Sequence, residues 1–137
     1  MPFIKFKIYP ELEVIIVCYF GPISKECIDE HLNRLTTDKD YNPDYNVISD
    51  ISNANFLISN SELNSIVSKV SVGKRKQAFI IKSSSQQAIS SLFSMMVRDL
   101  PMKINIVKSK REACEWIDLD PKFINFINYE INSFIES

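Results

Sequence analysis

The feature that most constrains the fold is a nearly continuous apolar run at residues 14–20. The run is rich in β-branched and aromatic side chains, which favours a strand covered on both of its faces. A strand of this kind requires a layered domain, in which a sheet lies beneath helices or a second sheet. The chain has 137 residues and a hydrophobic content of 45%, which is enough for one such domain.

The segments around this run predict further strands. Residues 3–9 alternate between apolar and polar side chains, and a turn at residues 10–13 joins them to the run as a β-hairpin. Residues 46–50, 77–82 and 102–107 also have the composition of strands. The sequence therefore predicts a sheet of about five strands.

Apolar residues at helical spacing lie between these strands and after the last of them. Ser24 and either Ser59 or Ser61 have the positions of helix N-caps, and a run of three serines precedes a third helix. Two more helices follow the fifth strand. The order β-β-α-β-α-β-α-β-α-α predicts an α/β fold with a mixed central sheet, because right-handed crossovers join parallel neighbours.

The scarcity of glycine and histidine excludes several kinds of chemistry. Gly21 and Gly73 are the only glycines, so the chain has no glycine-rich loop of the kind that binds nucleotide phosphates. His31 is the only histidine, and Cys27 is the one potential metal ligand a helical turn away. We therefore expect no catalytic residues, no metal and no cofactor, and we expect this pair to pack as part of a helix.

The net charge and the hydropathy of the chain argue against a nucleic-acid partner and against a membrane span. A net charge of −1 argues against nucleic-acid binding, because nucleic-acid binders normally present a basic surface. No apolar run reaches the roughly 18 residues that span a bilayer, and the first residues lack the pattern of a signal peptide. The three cysteines are widely spaced, as in proteins whose thiols stay reduced. We expect a cytoplasmic protein with no membrane span and no nucleic-acid partner.

Four segments together carry a family resemblance: residues 12–23, 46–50, 78–81 and 104–117. In their order and at their junctions they resemble the STAS-like family related to the SpoIIAA anti-sigma-factor antagonists. The similarity is greatest to the small stand-alone bacterial branch, most of whose members have no assigned function. The resemblance implies a SpoIIAA-like sheet covered by helices and a regulatory role exerted through a protein partner. It covers about residues 3–119, so the last helix lies beyond the usual domain as an extra C-terminal helix.

The resemblance also implies a place for a phosphoacceptor. In that family the serine lies where the third strand meets the second helix, within an Asp-Ser-Ser-Gly-type motif. The matching junction here reads Ile58-Ser59-Asn60-Ser61-Glu62, without the preceding acidic residue and without the following glycine. Ser59 and Ser61 are therefore phosphoacceptor candidates by position alone.

Two further polar candidates follow predicted strands. Asp50 ends the short central strand, where open α/β sheets collect ligands, although it can equally anchor a loop by accepting backbone N–H groups. Ser83, Ser84 and Ser85 open the third helix, whose unpaired N–H groups attract small anions. The alternative for the serines is simple N-capping.

The last helix has more apolar residues than one face can hold. Its inward stripe consists of Ile124, Ile127, Ile131, Phe134 and Ile135. The candidates for self-association are Phe123, Phe126, Ile127, Tyr129 and Phe134. We expect residues 1–120 to form the domain, and residues 121–137 to form a helical extension that packs on it or on a partner subunit. A homo-oligomer, with a dimer favoured, follows from the second possibility.

Two functions are consistent with these observations. The leading one is a non-enzymatic regulatory or protein-interaction module with an unidentified partner. The alternative is a binder of a small apolar or lipid-like ligand in a cavity beside the sheet. Phe93, Met95 and Met96 on the third helix either line such a cavity or fill the core.

Overall fold

The chain forms one mixed sheet with helices on both of its faces. The structure, a computed structural model, describes residues 1–70 and 73–136, with side chains for all of these except residues 121, 135 and 136. Ile135 of the predicted inward stripe therefore lies outside the described side chains, and Ser137 lies outside the described residues. The strands are β1 (Phe3–Tyr9), β2 (Val14–Ile23), β3 (Asn46–Phe56), β4 (Lys76–Ile80) and β5 (Lys103–Val107). The helices are α1 (Lys25–Thr36), α2 (Asn60–Val67), α3 (Ser84–Met96), α4 (Lys110–Trp116) and α5 (Ile124–Glu136), the last preceded by a 3₁₀ turn (Pro121–Phe123).

The five strands lie in the sheet in their order along the chain. β1 and β2 form the predicted antiparallel hairpin, in which Phe3 lies opposite Phe20 and Tyr9 lies opposite Val14. The remaining neighbours are parallel. Each parallel connection runs to the next strand, and such crossovers are right-handed, so α1, α2 and α3 all lie on the same face. The predicted α/β fold with a mixed five-stranded sheet is confirmed.

Each face of the sheet has its own core. On one face, Ile15, Val17 and Val47 pack with the helices that cross between strands. On the other face, Ile16 and Ile48 pack with α4 and α5. The sheet is therefore buried on both sides, as the apolar run in β2 predicts.

β3 is longer than the sequence predicts. The expected strand ended at Asp50, but β3 continues to Phe56 beside β2. The pairing changes from Cys18 opposite Asp50 to Phe20 opposite Asn53, which marks a β-bulge. β4 ends opposite Asp50, so the outer part of β3 is paired with β2 alone. The prediction was wrong because asparagines are poor strand formers and a bulge interrupts the alternation.

α5 packs on the face opposite to α1, α2 and α3. Ile127 and Ile131 are fully buried in the core that contains Ile16. The ring of Phe126 meets the ring of Tyr9 edge-on, with 5.2 Å between the centroids. Ile127 is 0% exposed, so the prediction that it takes part in self-association was wrong: the domain's own core covers its whole surface.

Candidate ligand-binding cavity

A cavity of about 110 Å³ lies between the sheet and α2. The face of β2, β3 and β4 forms its floor, and α1, α2 and α3 form its walls. Apolar residues that line it include Val17, Ile28, Val47, Leu63, Phe79 and Phe93. Phe93 is thus a lining residue, as the sequence suggests, whereas Met95 is 60% exposed at the surface of α3.

Small side chains and a short helix keep this space open. Ser49 on β3 and Ser90 on α3 are both buried, and both line the cavity where a larger apolar residue would fill it. α2 has only eight residues and packs mainly against α1 and α3. Thr36 is exposed and Tyr41 is half-buried, so the edge of the cavity reaches solvent near the end of α1.

Two polar side chains enter the cavity from β4 and the residue before it. Arg75 and Gln77 are two positions apart on extended backbone, so they project from the same face. Gln77 Nε2 donates to Ser49 Oγ at 3.1 Å, but Gln77 Oε1 is buried without a hydrogen-bond partner. Arg75 Nε is buried and also has no partner. An unsatisfied buried polar atom costs about 1–3 kcal/mol, so both atoms favour a bound polar group.

His31 is a third polar residue of the cavity wall. It is 2% exposed, its Nδ1 has no hydrogen-bond partner, and its ring lies 5.8 Å from the rings of Phe6 and Tyr19. Burial, helped by the positive charge of Arg34, lowers the pKa of His31 to about 4. The imidazole is therefore neutral at pH 7 and can either donate or accept a hydrogen bond.

The guanidinium of Arg75 is the one formal charge at pH 7 among the described lining residues. The charge of Arg75 also acts on Tyr19, another lining residue: burial raises the pKa of Tyr19 to about 12, and the charge of Arg75 opposes that rise. No aspartate or glutamate is among the described lining residues. The cavity is thus apolar in most of its wall and positive at one point.

Ser59 and Ser61 lie at the start of α2, the helix above the cavity. Ser59 is the N-cap: its hydroxyl accepts from Glu62 N at 3.2 Å, and the Glu62 carboxylate accepts from Ser59 N at 2.9 Å. The Ser59 and Ser61 hydroxyl oxygens are 3.2 Å apart, and both residues are exposed. A capping role already accounts for Ser59.

Ser83, Ser84 and Ser85 lie at the corresponding end of α3 and are exposed. Ser83 caps the helix by accepting from Gln86 N at 3.3 Å, and its hydroxyl oxygen is 3.1 Å from that of Ser85. The side chain of Gln86 completes a capping box. The chain's own residues therefore occupy the position that an anion would take.

Asp50 lies in the middle of β3, not at its end, on the face opposite the cavity. It is 5% exposed and accepts from the backbone N–H and the hydroxyl of Ser52, at 3.0 and 2.6 Å. Ser52 belongs to the β-bulge, where the ladder is interrupted. Asp50 therefore acts as an anchor for the bulge.

The aromatic residues of α5 and its preceding turn differ in exposure. Phe123, Phe126 and Phe134 are half-buried against the core, whereas Tyr129 is 70% exposed. Tyr129 is the residue of this group with most of its surface open to a second molecule.

The described residues contain no group of three or more histidine, cysteine or carboxylate side chains that could hold a metal. Cys27 instead accepts a hydrogen bond from Ser24 at 3.3 Å. No helix in the described part of the chain is long and apolar enough to cross a bilayer.

Sequence reasoning missed the polar residues of the cavity. Ser49 and Gln77 stand at inward-facing positions of two buried strands, where apolar residues are the rule. Polar residues at such positions indicate a cavity or a binding site. They can be recognised as inward-facing only once the register of the strands is known.

The fold and the cavity define an α/β domain with a largely apolar cavity beneath a short helix. No protein-family model matches the chain, and no curated protein matches it significantly. Among solved structures, the chain is similar to an uncharacterised protein of the DUF3478 family from Shewanella loihica PV-4, which has a SpoIIAA-like fold. The two share 16% sequence identity with a TM-score of 0.58, over 85% of this chain and 95% of the other. The expected SpoIIAA-like fold is thereby confirmed.

Proposed function

We propose that this protein is a non-enzymatic regulatory module that holds a small, largely apolar molecule in the cavity between the sheet and α2. The observation that carries this proposal is an apolar cavity of about 110 Å³ whose wall contains buried polar atoms without partners. Ligand sites typically combine apolar walls with a few convergent polar groups.

The position of α2 supports a regulatory role. The helix lines the cavity through Leu63 and Ile66, and its N-terminal end has the exposed Ser59 and Ser61. A molecule beneath the helix and a phosphate at its N-terminus would act on the same short element. The proposal therefore connects ligand occupancy with a surface that a protein partner can recognise.

A cytoplasmic location is part of the proposal. Cys18, Cys27 and Cys114 are free, and two of them are buried. Free thiols are typical of proteins in a reducing compartment.

Native mass spectrometry of the protein purified from its own cells tests the proposal. We expect a bound species that is lost on denaturation. The variant Ser90→Leu fills the cavity with a larger side chain and should abolish this added mass, while its thermal stability should stay equal or rise because a void is removed. Added pentan-1-ol, a neutral probe, should raise the melting temperature of the wild type but not of this variant.

Ser91→Leu is the matched control, because Ser91 is the next residue of α3 and is not a cavity residue. It should retain both the bound species and the response to the alcohol. The proposal is wrong if the wild-type mass is that of the bare chain and pentan-1-ol leaves its melting temperature unchanged.

A further inference from the structure

The charge of Arg75 has no counter-charge within the cavity. The described ion pairs of the chain involve Lys7, Lys25, Lys69 and Lys76. The described cavity wall contains no acidic residue, and the Nε atom of Arg75 is buried without a partner. Arg75 is half-buried, and a partly desolvated cation is costly unless an anion accompanies it. An anionic ligand is the simplest source of that charge.

The hydrogen-bonding groups beside Arg75 also suit an anion. Gln77 is bonded to the hydroxyl of Ser49, which can donate as well as accept, so the amide can turn and offer Nε2 to the cavity. The guanidinium of Arg75 can donate in a bidentate manner to a planar carboxylate. These two neighbouring side chains can therefore hold one carboxylate head.

The volume of the cavity and its single positive charge limit the class of ligand further. A cavity of about 150 Å³ takes up benzene, so a space of about 110 Å³ suits a body no larger than one such ring. A long acyl chain exceeds it. A single guanidinium balances one negative charge, which favours a carboxylate over a phosphate dianion.

We propose that the cavity binds a small monocarboxylate, with its apolar body on the floor of β2 and β3 and its carboxylate on Arg75 and Gln77. This assignment rests on the proposed function, of which it names the ligand class.

Binding of pentanoate, pentan-1-ol and pentylamine to the full chain tests the assignment. The three probes share a chain of five carbons and differ in the charge of the head. Measured at pH 7 by calorimetry or ligand-observed NMR, pentanoate should bind about tenfold or more tightly than the alcohol. Pentylamine should not bind, because its charge repels the guanidinium.

Arg75→Met should remove the preference for pentanoate and retain binding of the alcohol. Its melting temperature without ligand should not fall, because an unpaired charge is removed. Arg75→Gln should lose the preference in the same way, so the result does not depend on one variant. Lys74→Met is the matched control: it removes the same charge from the exposed neighbouring residue and should keep the preference.

The carboxylate assignment is overturned if pentanoate binds no more tightly than pentan-1-ol, or if its advantage survives in both Arg75 variants. In that case binding of the alcohol still upholds the cavity as a ligand site. If none of the probes binds, as for a cavity that holds only water, the carboxylate assignment fails. The proposed function fails with it if the wild-type mass is also that of the bare chain.

Discussion

At the residue scale, the side chain of Gln86 bonds to backbone groups of β3 that have no partner in β4. Its Nε2 donates to the carbonyl oxygens of Ser52 and Ala54 at 3.1 and 3.0 Å, and its Oε1 accepts from the backbone N–H groups of Lys82 and Ser83 at 2.7 and 3.0 Å. These carbonyls belong to the part of β3 that extends beyond the end of β4. One amide therefore satisfies the edge of β3 and the start of α3 together.

Gln86→Ala should lower the free energy of unfolding by about 3 kcal/mol, because it leaves four backbone groups without their partner, three of them part-buried and one buried. Urea denaturation measures this loss. Gln87→Ala is the control, because that side chain is exposed and bonds only to Ser91 among the described residues. It should change stability by less than about 0.5 kcal/mol. Equal losses in the two variants would contradict the role of Gln86.

His31 should make the protein less stable in mild acid. Its pKa is lowered to about 4 in the folded protein, first by burial and then by the charge of Arg34, whereas in the unfolded chain it is about 6.5. Between these values the unfolded state binds the proton more readily, so stability falls as the pH decreases from about 6.5 to about 4. The loss amounts to about 3 kcal/mol at the lower limit.

His31→Gln removes this titration and leaves the carboxylate titrations common to both proteins. Unfolding free energies at several pH values between 7 and 4 should therefore decrease less in the variant than in the wild type. Parallel curves would show that His31 does not titrate in this range.

At the scale of the elements, helices and strands with a strong local sequence pattern could be predicted. An element that depends on contacts with distant residues could not. Ser24 is an N-cap as expected, and the β-branched run of β2 is a doubly buried strand. Of the three serines before α3, Ser83 is the N-cap, which was the alternative to an anion site. The extension of β3 was missed because its stability comes from pairing with β2 and from Gln86, which is distant in sequence. The residues of a strand that such contacts stabilise need not have the alternating apolar pattern by which a strand is predicted.

In α5, different residues contribute to stability and to the predicted self-association. Ile127→Ala should lower the free energy of unfolding by about 2–5 kcal/mol, because the isoleucine is fully buried. If self-association through α5 occurs as predicted from the sequence, it depends on the exposed Tyr129. Light scattering after size exclusion should then give a dimer for the wild type and a monomer for Tyr129→Arg.

Tyr129→Arg should leave the unfolding midpoint nearly unchanged, since most of that side chain contacts solvent. A wild-type mass equal to that of one chain would rule out the oligomer.

At the scale of the whole molecule, the layer arrangement could be predicted and the cavity's chemistry could not. The order of elements defines which helices share a face. The alternative of a cavity beside the sheet named Phe93, Met95 and Met96, of which Phe93 is a lining residue. The polar residues of that cavity come from separate segments, with Arg75 and Gln77 far in sequence from His31. Only the register of the strands and the position of α1 bring them together.

The sequential order of the strands has a consequence for synthesis. A ribosome that has released the chain as far as β5 has delivered the entire sheet and the helices of one side. The other side still presents Ile16, Ile48 and Ile80 to solvent, because α4 and α5 follow later in the chain. Nascent chains and prematurely terminated products should therefore be prone to aggregation. Chaperones should bind the nascent chains until translation is complete.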